Sequence, residues 1–403
     1  MPTNIYSVNS RLGESRSNRG EVSAVIHPGR PLRVSRIEAS DASAAIWLSE
    51  NNRDQETPCL EMPWFWLRDH SEDPSSYEPS TKQRTVDTFA IDRSIRPDSV
   101  VIIDNGQSIL ATWPGPTPDS TISARTLASL LPADQSEERT MWSTPDNSAA
   151  VQPLNHSAIV ETDEGLSQWI GDIHRFGFAL GSDSPTTEDG AEALANRLGY
   201  VRRTIFGDLW TLSPDITDHA DTAYGAETLE PHTDGSYSHD APGLQFFVCA
   251  ERSGTGGESV LVDGFSLAEE LRANEPDAFK ILTEVSVPGH YIEPGVDLRT
   301  SRPTIQLDTS GAIKQVSFNN YDRSPFILPE PRLSQWYDAY TAFHELVIDQ
   351  SRWWSRRLEP GDSLIFDNWR CLHGRMAYTG ARRFNGGYLN HEDLESRIRV
   401  LSA

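Results

Sequence analysis

Cysteine is scarce in this chain of 403 residues, which contains only Cys59, Cys249 and Cys371. No two of them form a C-x-x-C pair, so neither a disulfide framework nor a cysteine zinc site is indicated. The first 20 residues also lack the apolar core of a secretory signal, and Glu14 disfavours a mitochondrial presequence. We therefore expect a reducing, cytoplasmic location, with the mitochondrial matrix as the less favoured alternative.

Positive charge is the second deficit. Against 59 acidic residues stand only 35 basic ones, and the formal net charge is −24. This balance disfavours nucleic acid and anionic lipid as partners and favours a small cationic substrate. No apolar run approaches the length that spans a bilayer, so we expect no membrane partner either.

The length and the punctuation of the chain predict more than one domain. Residues 1–25 form a polar lead-in, residues 26–125 a small β-rich domain, residues 126–157 a linker rich in Pro, Ser, Thr and Asp, and residues 158–403 a catalytic domain. Short β-like runs at 44–48 and 99–103 are separated by turn residues. The aromatic run at 63–70 is typical of a core or a domain seam.

Helical spacing of apolar residues appears in four places. It predicts helices over 164–176, from Ser184 as N-cap with Pro185 in the first turn through Leu198, over 264–283 and over 331–350. Short strands and turns dominate elsewhere after Ile205. The predicted fold class is therefore mainly β with covering helices, in the manner of a β-sandwich or jelly-roll barrel.

The tripeptide His-x-Asp occurs three times, as His219 to Asp221, His232 to Asp234 and His391 to Asp393. In a strand, residues i and i+2 point to the same face, so an imidazole and a carboxylate at this spacing can bind one cation. Only His232 and Asp234 are followed by a segment, Asp367 to Arg375, that offers a further histidine, His373.

Two histidines and one carboxylate with an open opposite face are typical of non-haem Fe(II) oxygenases rather than of a closed zinc site. The open positions would admit a chelating co-substrate together with dioxygen. We therefore predict His232, Asp234 and His373 as metal ligands and catalytic residues.

The segment from about 160 to 403 resembles the Fe(II)- and 2-oxoglutarate-dependent dioxygenases of the taurine dioxygenase superfamily, and within it the gamma-butyrobetaine hydroxylase and trimethyllysine hydroxylase branch. The stretches that carry the resemblance are IFGDLW (205–210), DTAY (221–224), HTD (232–234), GTGGESVLVDGF (254–265), FNNYDR (318–323), DNWRCLHGR (367–375) and GGYL (386–389). In the small domain, WLRD (66–69) and TKQRTVDTF (81–89) resemble the same branch.

The resemblance implies a double-stranded β-helix (jelly-roll) catalytic domain preceded by a small β-rich N-terminal domain. It also implies Fe(II), 2-oxoglutarate and O2, with ascorbate as an optional stimulant, and a homodimer. The reaction it implies couples hydroxylation to decarboxylation of 2-oxoglutarate into succinate and carbon dioxide. Asp234 favours hydroxylation over halogenation, because related halogenases carry a small residue there.

For the co-substrate, the resemblance assigns the far carboxylate to Arg382, six residues before Tyr388, and to the hydroxyl of Ser259. A guanidinium suits this role because its planar fork binds a carboxylate at two points. Arg383 is the rival for this role. Alternation along a strand sends Arg382 and Arg383 to opposite faces, so only one can serve.

For the substrate, the resemblance places an aromatic cage for a trimethylammonium group at Phe206, Trp210, Tyr224 and Tyr388. Such a group has no N–H, so aromatic faces must hold it, although any of the four rings could equally be core. Asp221 could pair with an α-ammonium group, and Asn320 and Arg323 complete the expected substrate residues. This set favours hydroxylation of Nε-trimethyllysine at its β-carbon, the entry step of carnitine synthesis.

Three alternatives stay open at this point. The substrate could be gamma-butyrobetaine or a trimethylammonium phosphonate, with Arg323 as anion partner, or the chain could be a specialised-metabolite tailoring oxygenase. A non-catalytic metal-binding barrel is disfavoured, because binding alone does not require all of His232, Asp234, His373 and Arg382. The branch's cysteine-rich zinc site is not expected, since Ser71, Asp73 and Ser76 stand there instead.

Overall fold

The computed structural model describes residues 32–50, 60–131, 139–143, 150–213 and 225–401. The chain divides into two compact units, Met1–Ser136 and Glu137–Ala403. The division falls inside the segment 126–157 that the sequence indicates as a linker. Within the described residues, no helix is both long and apolar enough to cross a membrane.

The first unit is built from short strands. They are β1 (Leu32–Ala39), β2 (Ser43–Glu50), β3 (Leu60–Pro63), β4 (Tyr77–Glu78), β5 (Gln83–Arg84), β6 (Ser99–Ile103), β7 (Ser108–Thr112) and β8 (Ser120–Ser123). Helices span Trp64–Asp69 and Ala124–Ala128, and short 3-10 turns span Thr88–Ala90 and Asp104–Gly106. Two antiparallel sheets, β1-β2-β3 and β6-β7-β8, enclose an apolar core to which the predicted aromatic run contributes Trp64 and Leu67.

Ser71, Asp73 and Ser76, where the resemblance would place a zinc site, are engaged in hydrogen bonds. Ser71 Oγ donates to Asp73 Oδ2 at 2.5 Å, and the buried Arg68 guanidinium donates to Ser76 Oγ at 2.9 Å. Asp69 accepts hydrogen bonds from Arg84 and Thr88. These side chains therefore form a local hydrogen-bond network.

The second unit contains most of the strands. They are β9 (Leu154–Asn155), β10 (Phe178–Ser182), β11 (Leu209–Leu212), β12 (Leu229–His232), β13 (Leu244–Arg252), β14 (Ser259–Asp263), β15 (Ser286–Glu293), β16 (Val296–Pro303), β17 (Ile305–Leu307), β18 (Ile313–Val316), β19 (Trp354–Arg356), β20 (Ser363–Asp367), β21 (Cys371–Arg375) and β22 (Arg382–Leu389). Its helices span His156–Glu161, Asp163–Phe176, Glu188–Leu198, Gly264–Asn274, Pro276–Glu284, Arg332–Ile348 and His391–Leu401, with a 3-10 turn over Gln350–Arg352.

Two sheets form the centre of this unit. One has the strand order β11-β22-β13-β20-β10-β9 and the other β12-β21-β14-β19. Helices Asp163–Phe176 and Glu188–Leu198 pack their apolar faces on the first sheet, whereas Gly264–Asn274 and Arg332–Ile348 share a core with strands of the second. The chain is thus mainly β with covering helices, as the sequence predicts.

Two helix predictions need correction. The helix predicted from Ser184 begins only at Glu188, with Thr187 as its N-cap. The helix predicted over 264–283 is two helices, Gly264–Asn274 and Pro276–Glu284. Pro276 explains the break, because its nitrogen carries no hydrogen and cannot continue the hydrogen-bond pattern of the preceding helix.

Part of the predicted linker packs on the second unit. Trp142 is almost fully buried, its indole nitrogen donates to the carbonyl oxygen of Phe176 at 2.8 Å, and its backbone N–H donates to Asp263 Oδ2 at 3.1 Å. The buried apolar surface of the indole ring stabilises the position of this segment, and the hydrogen bond of the indole N–H removes the cost of burying that donor. Residues 139–143 therefore belong structurally to the second unit.

Candidate functional site

The structure brings His232, Asp234 and His373 together. One potential ligand atom from each lies within 4.8 Å of the others, and this is the one cluster of its kind in the described ranges. His232 and His373 are direct partners across the antiparallel strands β12 and β21, and their ring centroids are 4.5 Å apart. The pairing of these two strands, which are distant in sequence, thus brings the two imidazoles together.

The sequence argument assumed that His232 and Asp234 lie in one strand and share a face by alternation. The structure places Asp234 differently. Strand β12 ends at His232, and Asp234 lies in a bend two residues beyond it. The bend continues through Gly235, whose φ of +73° is strained for any residue with a side chain. A Cβ at Gly235 would also lie 2.5 Å from Pro242 Cδ, so the space at this position admits only glycine.

The two imidazoles differ in protonation. His232 Nδ1 lies 2.9 Å from the carbonyl oxygen of Glu230, which can only accept, so Nδ1 carries a proton and Nε2 is the nitrogen available to a metal. Burial lowers the pKa of His373 to about 4, so its imidazole is neutral. Burial also disfavours the cation of His232, but the hydrogen bond and charge of Asp234 outweigh it and raise that pKa, so a metal that binds Nε2 displaces a proton.

Asp234 is held through its carboxylate and through its backbone. Tyr388 donates its hydroxyl hydrogen to Asp234 Oδ2 at 2.9 Å, whereas Asn368 Oδ1 accepts from the Asp234 backbone N–H at 2.8 Å and Asn368 Nδ2 donates to the Asp234 carbonyl oxygen at 3.1 Å. Burial opposes ionisation, yet His373, His232 and Tyr388 together keep the pKa of Asp234 below its ordinary value. Once His232 Nε2 has given up its proton to a bound metal, two imidazole nitrogens and one ionised oxygen form a donor set that fits Fe(II).

Arg382 provides a buried cation on the same cavity. It is 8% exposed, and neither a hydrogen-bond partner for its Nε nor a carboxylate within 4.0 Å is found in the part of the chain that the structure describes. Burial, followed by the charge of Arg375, lowers its pKa to about 9. A buried guanidinium of this kind needs an anion, and Ser259, 3% exposed on β14, offers a hydroxyl on the same cavity.

Arg383 faces away from this cavity. Its side chain is half exposed, and its guanidinium lies 3.8 Å from the carboxylate of Glu251 on the neighbouring strand β13. Arg382, by contrast, packs over the rings of Phe384 and Tyr378. Alternation along β22 therefore separates the two arginines, and only Arg382 lines the cavity.

The cavity itself, of about 110 Å³, lies between the two sheets. Trp210 and Tyr388 lie on its wall with ring centroids 5.7 Å apart, and Phe206 joins them at the opening. Tyr237, which the sequence did not single out, lines the same cavity, and its ring is tilted against that of Tyr291 of strand β15 with centroids 5.0 Å apart. Trp210 and Tyr388 are also part of an apolar core cluster, so they serve packing as well as the cavity.

Two predicted substrate residues, Asn320 and Arg323, do not line the cavity, and two others are not described by the structure. Asn320 is exposed and accepts a hydrogen bond from Arg323, and it is the buried Asn319 that lines the cavity. Arg323 packs instead over the rings of a neighbouring helix, among them Trp336 at 5.6 Å. Asp221 and Tyr224 lie outside the described residues.

Two positioning groups escaped the sequence argument although both lie in or beside the stretches quoted for the resemblance. Asn368 precedes strand β21 and holds Asp234, as described above. Arg370 is 2% exposed and forms a buried ion pair with Asp263 at 2.7 Å, and it also donates to the carbonyl oxygens of Thr140 and Arg175. The polar residues of the stretch DNWR (367–370) indicate the positioning roles of Asn368 and Arg370, because polar groups in a buried turn require hydrogen-bond partners.

Comparison with known proteins identifies the family. A family model described as taurine catabolism dioxygenase TauD, TfdA family matches residues 145–388. Mitochondrial trimethyllysine dioxygenase of Gallus gallus is 32% identical over 357 residues, which are 85% of this chain and 84% of that protein. Gamma-butyrobetaine dioxygenase of Pseudomonas sp. (strain AK-1) is 31% identical over 351 residues, or 84% of this chain and 89% of that protein.

A solved structure of a taurine dioxygenase from Burkholderia xenovorans matches 57% of this chain and 82% of its own, with 15% identity and a TM-score of 0.44. The assignment rests on the family model and the two relatives rather than on this likeness. The chain therefore belongs to the TauD, TfdA family, and it is an iron- and 2-oxoglutarate-dependent dioxygenase.

Proposed function

We propose that this dioxygenase hydroxylates Nε-trimethyllysine, the entry step of carnitine synthesis, and that its two central sheets form a double-stranded β-helix around the site. The observation that carries the site is the convergence of His232, Asp234 and His373 on a cavity that also contains the buried Arg382. A metal triad and an unneutralised cation on one wall suit a chelating dicarboxylate. The trimethyllysine dioxygenases, at 30–32% identity, support the substrate.

In this proposal His232, Asp234 and His373 hold Fe(II) through two nitrogens and one oxygen. Tyr388 and Asn368 fix the direction of the Asp234 carboxylate by the hydrogen bonds already described. Such outer contacts orient a ligand and commonly change metal affinity by about 10-fold to 100-fold when removed. With iron bound, one atom of O2 enters 2-oxoglutarate, giving succinate and carbon dioxide, and the other becomes the hydroxyl oxygen of the product.

Arg382 and Ser259 bind the far carboxylate of 2-oxoglutarate in this proposal. The guanidinium supplies charge and two parallel donors, and the hydroxyl adds a third. Phe247, Leu364 and Phe366 line the same part of the unit with apolar surface, which excludes water and strengthens the charge interaction. A monocarboxylic 2-oxo acid would leave the Arg382 cation buried and unpaired, so the site selects a dicarboxylate.

Trp210, Phe206 and Tyr388 hold the trimethylammonium group. A quaternary ammonium has no donor hydrogen, so charge, dispersion and ring faces must bind it, at about 0.5–2 kcal/mol per ring. The Tyr388 hydroxyl is directed at Asp234, which leaves the ring as its contribution to the substrate. Tyr237 offers a further ring on the same wall.

A second candidate substrate is gamma-butyrobetaine, favoured by the 31% identical gamma-butyrobetaine dioxygenase, with a trimethylammonium phosphonate as a related third. Both carry the same quaternary ammonium group and would use the same rings. A specialised-metabolite tailoring reaction on this scaffold would keep the metal and the co-substrate but use a different substrate wall.

The test measures succinate formed from 2-oxoglutarate by the purified protein with Fe(II) and O2, with each of the three compounds in turn. The proposal expects trimethyllysine to give succinate and hydroxylated product in equal amounts, and His373→Ala to abolish both. Coupled turnover of gamma-butyrobetaine without trimethyllysine turnover would replace the substrate. Turnover by His373→Ala equal to that of the wild type would refute the site.

A further inference from the structure

Strand β16 places an arginine on its covered face. Asp297 and Arg299 are exposed on one side of the strand, whereas Arg302, on the other side, is only 7% exposed. Its Nη2 atom is buried and has no hydrogen-bond partner among the described residues. Arginine is seldom buried without a partner, because removal of a lone cation from water is costly in free energy. Arg302 therefore requires an anionic partner.

The acid whose charge acts on Arg302 is engaged elsewhere. Burial lowers the pKa of Arg302 below its ordinary value, and the charge of Asp240 opposes this shift only in part. The Asp240 carboxylate lies 2.8 Å from the guanidinium of Arg202, and its side chain is 69% exposed. Water screens the charge of an exposed carboxylate, so Asp240 compensates the buried cation incompletely.

A second polar group without a partner lies on the same cavity as Arg302. Thr304, two residues further along the chain, is only 1% exposed, and its hydroxyl has no hydrogen-bond partner within the described ranges. Both residues line a cavity of about 10 Å³, together with Arg323 and Tyr340. Arg323 adds a second guanidinium, whose central carbon lies 5.8 Å from the centre of the Tyr340 ring. In the part of the chain that the structure describes, no acid lines this cavity.

The size and the charge of the cavity define its occupant. A volume of about 10 Å³ holds one particle of about the size of a water molecule, which excludes phosphate, sulfate and carboxylic acids. A water molecule is neutral and would leave the cation of Arg302 uncompensated. A monoatomic anion supplies the missing charge and accepts hydrogen bonds from a guanidinium and a hydroxyl at once.

We propose that the cavity bounded by Arg302, Thr304 and Arg323 binds one chloride ion. Arg302 is the charged partner of this ion, and Thr304 donates its hydroxyl hydrogen to it. None of the three metal ligands lines the cavity. The chloride site is therefore separate from the iron site, and it goes beyond the dioxygenase reaction because it requires no particular substrate.

The chloride site adjoins the bend that carries Asp234. Ser236, two residues after Asp234, lines the cavity, and its carbonyl oxygen would lie 2.5 Å from a Cβ at Gly289 of strand β15. Strand β15 in turn pairs with β16, with Val287 opposite Arg302. A chloride ion therefore connects Arg302 to this bend, and its binding to the folded state alone stabilises the protein by mass action.

Thermal unfolding in chloride and in gluconate, at equal ionic strength, tests the proposal, because gluconate is too large for the cavity. The full chain is measured with Mn(II) and 2-oxoglutarate present, so that the cavity of Arg382 is occupied. We expect the wild type to melt about 2–4 °C higher in chloride than in gluconate. In Arg302→Gln this difference should fall below about 1 °C. This variant should melt no lower than the wild type in gluconate, because it removes an uncompensated buried cation.

Further variants and a crystal locate the ion. Arg299→Gln, at an exposed position of the same strand, is the matched control and should keep the full chloride effect. Thr304→Val removes the hydroxyl at similar size and should reduce the effect by about half, whereas Thr304→Ser should retain it. In wild-type crystals soaked in bromide, anomalous scattering should show one bromide ion between Arg302 and Thr304.

Three results would overturn the inference. The first is a wild type that melts at the same temperature in both salts. The second is an Arg302→Gln variant that keeps the full chloride effect; equal destabilisation of this variant in both salts would mean that Arg302 is paired within the protein, and Asp240→Asn should then reproduce the loss. The third is a bromide-soaked crystal in which the cavity contains a water molecule only, without anomalous signal.

Discussion

Tyr388 donates its hydroxyl hydrogen to Asp234 Oδ2 at 2.9 Å, although the two residues are 154 positions apart and Asp234 lies in the bend after β12 while Tyr388 lies in β22. The Tyr388 ring thus lines the cavity, while its hydroxyl orients the carboxylate of Asp234. The contact ties the strand that carries Arg382 to the bend that carries Asp234.

Removal of this hydroxyl should weaken metal binding and preserve the ring. For Tyr388→Phe we expect Mn(II) or Fe(II) affinity to fall by about 10-fold, since outer hydrogen bonds to a ligand have effects of this size. Isothermal titration with Mn(II) measures it directly. Tyr337→Phe, at an exposed helix position, is the matched control and should bind Mn(II) as the wild type does. Equal affinities in both variants would show that the bond does not support the metal.

The adjacent arginines provide a second matched pair. Arg382→Gln should raise the dissociation constant of 2-oxoglutarate by about 10-fold to 100-fold, because it removes a charge-assisted hydrogen bond in a buried site. Arg383→Gln should change it by less than about 2-fold, because an exposed pair such as Arg383 with Glu251 contributes little. Binding can be followed by tryptophan fluorescence in the presence of Mn(II). A larger effect of the Arg383 variant would reverse the assignment.

The sequence predicts local structure well where one residue type decides. Helix Asp163–Phe176 follows from its apolar spacing, and it is bounded by Thr162, whose side chain caps the first turn, and by Gly177 with a φ of +84°. The break at Pro276 was equally legible in the sequence, and a single helix over 264–283 was the wrong interpretation. Local rules thus account for helices, including the one that was misjudged.

Contacts between distant strands were harder to predict. The spacing of histidines suggested His373 as a third ligand, but the register that places His373 opposite His232 depends on the pairing of β12 with β21. The sequence shows that position 388 is aromatic, but it does not show whether such a residue packs in the core, lines a cavity or orients a carboxylate. Asn319 and Asn320 are neighbours in sequence, and only the fold decides which of them is buried.

Gly235 is expected to be intolerant of a side chain for two reasons. Its φ of +73° strains any other residue, and an added Cβ would lie 2.5 Å from Pro242 Cδ. Gly295 is the matched control, because its φ is +85° but nothing lies within 4 Å of an added Cβ. For Gly235→Ala we expect the free energy of unfolding to fall by about 2–4 kcal/mol, against about 1 kcal/mol for Gly295→Ala.

Chemical denaturation of the two glycine variants measures this difference, and Mn(II) titration should show weakened binding only for Gly235→Ala, because the bend positions Asp234. Equal losses of stability would mean that backbone strain alone matters at both positions. Equal metal affinities would mean that the bend can shift without moving the carboxylate.

His391 and Asp367 form a buried pair at 3.2 Å that should make stability depend on pH. Burial disfavours the cation of His391, but Asp367 and Glu395 outweigh it and raise its pKa above the ordinary 6.5. Burial likewise opposes ionisation of Asp367, but His391 and the backbone of Trp369 lower that pKa below 3.8. The raised histidine pKa contributes stability that is complete below pH 6.5 and is lost as the pH rises through the folded-state value.

The free energy of unfolding of the wild type should therefore decline from pH 6 to pH 8 more steeply than that of His391→Gln. Between these two pH values, the wild type should lose about 1 kcal/mol more stability than the variant. The carboxylate contributes in the opposite direction, because its stabilisation is lost only as the pH falls below about 3.8. Identical slopes for the wild type and His391→Gln would show that the folded-state pKa of His391 is not raised, and the pH dependence of folding would then have to arise from other histidines.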